Sequence, residues 1–204
     1  MSSTVTIRPL RPDDAARVAE LTLAAYDTYG DISGTYRDLL ADPAARAEGA
    51  SAVLVAEVDG EVVGTITDIR PGDPEWEPRP EPAGDCGFRV LAVDPTREAR
   101  GVGRALVTQV LDRARADGCR RAVITSMAWM TRAHALYRSL GFTRRADLDV
   151  RFPGGHGVVF TCDLVPDAAA GFPPPGPPAD PPPWWEDVWD VSALPDRDTE
   201  RRPG

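Results

Sequence analysis

With 204 residues the chain has room for one domain of ordinary size and some excess, so its core needs no disulfide or metal staple. Its formal charge of -9, from 32 acids against 23 basic residues that are all Arg, argues against a nucleic-acid partner; a cationic partner or substrate is one corollary, a merely soluble acidic surface the plainer one. No apolar run is long enough to span a membrane, and no basic-then-apolar leader opens the chain. The odd, widely spaced Cys86, Cys119 and Cys162 fit free thiols in a reducing cytoplasm, and neither they nor His134 and His156 show a zinc spacing.

Thr4 to Arg8 alternate apolar and polar residues and predict an opening strand, ended by Pro9 and Pro12. Pro12-Asp13-Asp14 then supplies a proline and two acids to the first turn of a helix that runs to about Tyr26. A second helical piece is expected from about Gly34 to Leu40, and Asp42-Pro43 starts a third through Glu48. Tyr26, Tyr29, Tyr36 and the later Trp76 could line a pocket or simply pack with one hydroxyl bonded. Tyr29, in the loop YDTYGDISG, is the strongest substrate-binding candidate because loops carry specificity.

Ala52 to Val58 and Glu61 to Thr67, joined by Asp59-Gly60, predict a two-residue hairpin. Arg70 to Asp85 holds five prolines and five acids and reads as an acidic rim on the substrate side. The apolar run Phe88, Val90, Leu91, Ala92, Val93, closed by Asp94-Pro95, suits a strand buried on both faces. Gly101 and Gly103 then open an amphipathic helix carrying Val102, Leu106, Val107, Val110, Leu111 and Ala114 to Asp117-Gly118. A glycine-rich helix entry leaves free N–H groups that can converge on an anion, most often a phosphate.

Arg121 to Ser126 predicts the next strand and Thr131 to Leu140 the next helix, stopped by Gly141. Phe142 to Phe152 and Val158 to Leu164 are expected to close the domain as an antiparallel pair. Residues 165–204 form a tail of another kind, with more than half of the prolines and eight acids against three arginines. Such composition does not bury enough apolar surface to offset chain entropy. Its island Trp184, Trp185, Val188, Trp189 resembles a docking motif, for a partner or for the domain's own groove.

Two segments carry a family resemblance. Leu91-Ala92-Val93 followed by Glu98-Ala99-Arg100-Gly101-Val102-Gly103 resembles the acetyl-CoA signature of the GNAT acyltransferases, L-x-V then [Q/R]-x-x-G-x-[G/A]. Ala133 to Phe142, AHALYRSLGF, is similar to the family's A-x-x-L-Y-x-x-x-G-F segment, and the order of predicted elements matches as well. The resemblance covers about residues 4–164. It implies an α/β fold with a mixed, mostly antiparallel sheet flanked by helices, and acetyl transfer from acetyl-CoA to a primary amine in a direct ternary complex.

By the same resemblance, the backbone of Leu91, Ala92 and Val93 would pair with the pantetheine arm, and amides from Ala99, Arg100, Gly101, Val102, Gly103 and Arg104 would hold the pyrophosphate. Tyr137 matches the tyrosine that protonates the departing thiolate, and family habit leaves a homodimer open. The chain departs from the pattern at Glu98, where Gln or Arg is usual, at Gly87, where many members carry a basic Glu, and at Met130, where many carry Asn. Asp85, then Glu81, are the nearest acids to replace that Glu. The acidic rim points to a cationic acceptor such as a polyamine, an amino sugar or a peptide amine. The rival expectation is a CoA-binding protein without chemistry that works through its tryptophan-bearing tail.

Overall fold

The computed structural model describes residues 4–30, 34–75, 85–97, 101–152 and 155–166. β1 (Val5–Pro9) leads through a short 3-10 turn into α1 (Ala15–Asp27), and Asp14 joins the two. Its carboxylate accepts the Arg11 amide at 2.7 Å and an ion pair from Arg8 at 2.6 Å. The Arg8 bond outweighs burial and holds Asp14 below the usual carboxylate range. α2 (Gly34–Ala41) and α3 (Pro43–Gly49) follow, the latter capped by the Asp42 side chain on the Ala45 amide at 2.9 Å.

β2 (Ala52–Val58) and β3 (Glu61–Ile69) form the expected hairpin. Asp59 and Gly60 both take positive φ, 53° and 83°, as a two-residue turn between right-twisted strands requires. β4 (Asp85–Val93), α4 (Val102–Ala116), β5 (Arg121–Met127) and α5 (Thr131–Ser139) come next. With β6 (Thr143–Arg144), β7 (Val150–Phe152) and β8 (Gly155–Asp163), the sheet order is β1-β2-β3-β4-β5-β8-β6, with β7 also on β8, and every pairing is antiparallel except β4 with β5.

The closing pair differs from expectation. Instead of one long strand from Phe142, the chain makes β6 (Thr143–Arg144), a helical turn at Ala146–Leu148 and β7 (Val150–Phe152), both against β8 (Gly155–Asp163). Asp149 causes the break. Its buried carboxylate accepts the Val159 amide at 3.0 Å, bonds His156 Nε2 at 3.0 Å and pairs with Arg144, which diverts the backbone from a continuous ladder.

Side chains alternate to the two faces of the sheet and build two cores. Ile66, Phe88, Ile124 and Phe160 pack under Leu106, Val110 and Tyr137 of α4 and α5. Val55, Val90, Ala92 and Met127 pack under Val18, Leu21, Tyr36 and Leu40 of α1 and α2. α4 lies close on β3 because residue 64 is glycine: a Cβ there would stand 2.9 Å from Val102 Cγ1 and 3.1 Å from the Ala92 carbonyl. A buried charge network ties the far end of the same helix, where Asp68 of β3 pairs with Arg70 and, at 2.9 Å, with Arg113.

Candidate active site

β4 and β5 are partners only where they start, at Asp85 with Arg121 and Cys86 with Ala122. Beyond that point β4 stays with β3, and a bulge bends it away from β5: Val90 and Leu91 together oppose Ile66, between the pairs Thr67 with Arg89 and Thr65 with Ala92. Val90 takes φ 47° at the bulge. A β-branched residue is strained in that region, and such strain gathers at functional sites. The edge of β4 from Phe88 to Val93 is therefore left without a β5 partner, and the splayed strands bound a cleft of about 440 Å³. An exposed strand edge recognises an extended, amide-bearing ligand by adding it as a further strand.

One end of the cleft meets the start of α4. Gly101 is left-handed at φ 75°, and Gly101, Val102, Gly103 and Arg104 all line the cleft. The first amides of the helix have no partner within it, and at Gly103 a Cβ would make an ordinary contact, 3.4 Å, with Leu136 Cδ2. Arg97, Arg104 and Arg132 line this end too, so its described lining is cationic and suited to phosphate.

The turn before the helix is held by Asp94, which accepts the Thr96 amide at 2.8 Å and hydroxyl at 2.7 Å and pairs with Arg17 of α1. Burial pushes this carboxyl up, but the Thr96 and Arg17 bonds bring it below its ordinary value. Glu98, Ala99 and Arg100 lie outside the described residues.

Tyr137 enters from α5. Its ring packs on Phe88, Phe142 and Phe160 at 5.7, 5.8 and 5.8 Å, and the residue lines the cleft. Burial, with a contribution from Tyr29, pushes the phenol well above the ordinary tyrosine value, so it holds its proton throughout the range in which enzymes work. One turn earlier on the helix, His134 Nε2 lies 3.2 Å from Ser126 Oγ of β5 and its ring also bonds the Met127 carbonyl. Burial, and then Arg138, lower the His134 pKa. Met130 stands at the N-cap of α5 and within the cleft lining.

The opposite end is walled by Tyr26, Tyr29 and Tyr36, so that with Tyr137 all four tyrosines of the chain line one cleft. Tyr26 and Tyr36 meet edge to face at 6.1 Å. Ile69, Met127 and Met130 complete an apolar surface, and the described lining contains no Asp, Glu or His. Tyr29 lines the cleft from the turn after α1, whereas Tyr26 and Tyr36, open at first to a packing role, pack and line the cleft at once.

Asp85 begins β4, six residues before Leu91. It pairs there with Arg121 of β5, at the end of the strand before the two part. Trp76, Glu81 and the tail segment Trp184–Trp189 lie outside the described residues. The Ser126–His134 pair and the Tyr26–Tyr36 contact carry no sequence motif; only the fold brings their members together.

Comparison with known proteins places this geometry. The family model described as Acetyltransferase (GNAT) family matches residues 16–142. An aminoglycoside N(6')-acetyltransferase type 1 of Stenotrophomonas maltophilia is 34% identical over 142 residues, 70% of this chain and 88% of that protein. A mycothiol acetyltransferase of Sanguibacter keddieii is 34% identical over 72% of this chain, which spans 46% of that longer protein. Among solved structures, a GNAT family acetyltransferase from Brucella melitensis in complex with acetyl-CoA superposes with a TM-score of 0.54 at 24% identity, covering 85% of this chain and 93% of that one.

Proposed function

The chain belongs to the GNAT acetyltransferase family, acetyl-CoA is its cosubstrate, and from that premise we propose that it acetylates a primary amine held against the tyrosine wall. The observation that carries the reading is the parting of β4 from β5 with Tyr137 set beside it. Bound acetyl-CoA supplies an activated acetyl group as a thioester. The free edge of Leu91, Ala92 and Val93 pairs with its extended arm, and the amides of Gly101 to Arg104, with Arg97 and Arg132 nearby, hold its phosphates.

Tyr137 keeps a proton at its phenol oxygen for the departing sulfur. Its raised pKa does not spoil the match, because the same burial that raises a phenol raises a thiolate. The amine lies on the tyrosine side in line with the carbonyl, so proximity and orientation supply much of the acceleration. Its proton leaves through water, with Asp85 as a distant acceptor, or has already left on binding. Both relatives compared above are named for acetyl transfer, which disfavours a CoA-binding role without chemistry.

The test is CoA release from acetyl-CoA in the presence of a panel of primary amines, with calorimetric binding of acetyl-CoA measured alongside. Tyr137→Phe is expected to lose turnover and keep acetyl-CoA affinity. Equal turnover in the variant would remove the role given to the phenol.

A further inference from the structure

Arg46 of α3 is only 2% exposed, yet it has no carboxylate partner among the described residues. Nη1 donates to the carbonyls of Leu39 and Leu40 at 2.9 and 2.8 Å, at the end of α2, while Nε and Nη2 have no hydrogen-bond partner among the described residues. A guanidinium does not give up its proton in a protein, so this is a buried positive charge without a direct ion pair among the described residues. Those two carbonyls place the guanidinium at the end of α2, one turn after Tyr36 of the cleft wall, with Tyr26, Glu75 and Asp42 as its other electrostatic neighbours.

Both acids have other partners as well: Asp42 caps the Ala45 amide, and Glu75 lies 3.5 Å from Arg89, a cation of the cleft lining. The other ionisable groups at this end are the phenols of Tyr29 and Tyr137. Of the five acids on which a cationic acceptor was expected, Asp73 accepts the Ser51 and Arg70 amides, Glu75 lies beside Arg89 and Asp85 begins β4, while Glu77 and Glu81 lie outside the described residues.

A buried like charge disfavours an ammonium ion, as a cation beside a catalytic lysine lowers its pKa. We infer that Arg46, from behind the tyrosine wall, makes the acceptor end take its amine without the proton, and so selects a monoamine on an apolar or aromatic body over a polycation. This rests on the acetyl-transfer reading above and names the substrate class of the same site.

On binding, the ammonium releases its proton to water. The nitrogen lone pair then forms the N–C bond as the C–S bond breaks, Tyr137 gives its proton to sulfur, and the second N–H proton restores the phenol through water. Amine and thioester become amide and thiol with no other reactant. Arg46 touches none of these atoms; it acts through its field, and the apolar wall of Tyr26, Tyr29, Tyr36, Ile69 and Met127 supplies the grip.

The experiment compares wild type, Arg46→Met and Arg46→Lys by the pH dependence of kcat with benzylamine and tryptamine, and wild type with spermidine and kanamycin. Arg46→Met is expected to move the acid limb of kcat up by about one pH unit and lower kcat at pH 7 about tenfold, with acetyl-CoA affinity unchanged. Arg46→Lys, which keeps the charge and a donor for the carbonyls, should retain the wild-type limb. Wild type should favour the monoamines over the polycations by at least about tenfold in kcat/KM.

An unmoved limb in folded Arg46→Met overturns the inference, as does a preference for the polycations or failure to use any monoamine while acetyl-CoA binds. Should Arg46→Met not fold, the acceptor preference of wild type decides alone. Absence of acetyl-CoA binding overturns instead the acetyl-transfer reading, and the inference with it.

Discussion

The end of the cleft proposed for the cofactor and the end proposed for the acceptor are made from different materials. At the cofactor end the backbone is the binding surface: a strand edge released by the bulge at Val90, and the open amides of a helix that begins at a left-handed glycine. At the end proposed for the acceptor the surface is mostly side chain, with tyrosines from α1 and its C-terminal turn and from α2, the helix whose end holds the buried Arg46 of α3. Backbone recognition constrains only a few residue types, chiefly Gly where the chain must turn. Side-chain recognition leaves each position free to vary with the substrate, so one end keeps a fixed ligand while the other is retuned.

The largest effect should come where the two ends meet. Tyr137→Phe is expected to lower kcat by about 10²- to 10⁴-fold, the usual worth of a placed general acid, while calorimetry finds acetyl-CoA affinity within about twofold of wild type. Next is a change that should collapse the cofactor end alone. Gly64→Val puts branched carbon where even one Cβ would come within 3 Å of Val102, and denaturant unfolding should report a loss of about 1–3 kcal/mol. Because α4 must shift to relieve the clash, acetyl-CoA affinity should fall with stability.

The smallest effect concerns pH. Burial depresses His134 below its unfolded value of 6.5, so its contribution to stability is present above that pH and is lost as pH falls through the folded value. The unfolding midpoint of wild type should therefore decline on acidification below about pH 6.5, and His134→Gln should flatten that decline. A variant with the wild-type slope would mean that another group sets the acid sensitivity.

The same division explains what could be read from the chain. The hairpin at Asp59-Gly60, the glycine entry to α4 and the strand ending at Val93 depend on local backbone demands, and local residues announce them. The parting of β4 and β5 depends on a bulge at a valine, whose type gives no sign of a positive φ. The break between β6 and β7 follows from one buried aspartate reaching Arg144, Val159 and His156, a long-range cause that alternation of apolar residues does not register. Arg46 is similar: an arginine on a short helix gives no sign of burial until the fold sets it against the end of α2.

The central claim is that the two ends are separable, and acetyl-CoA binding tests it most directly. Calorimetric titration of acetyl-CoA into wild type, Gly101→Val and Tyr36→Phe should give weakening of about tenfold for Gly101→Val, whose left-handed backbone costs about 1–2 kcal/mol for any side chain. Tyr36→Phe should bind acetyl-CoA as wild type does. Equal losses in both variants, or none in Gly101→Val, would contradict a cleft in which the backbone holds the cofactor and the tyrosine wall only the acceptor.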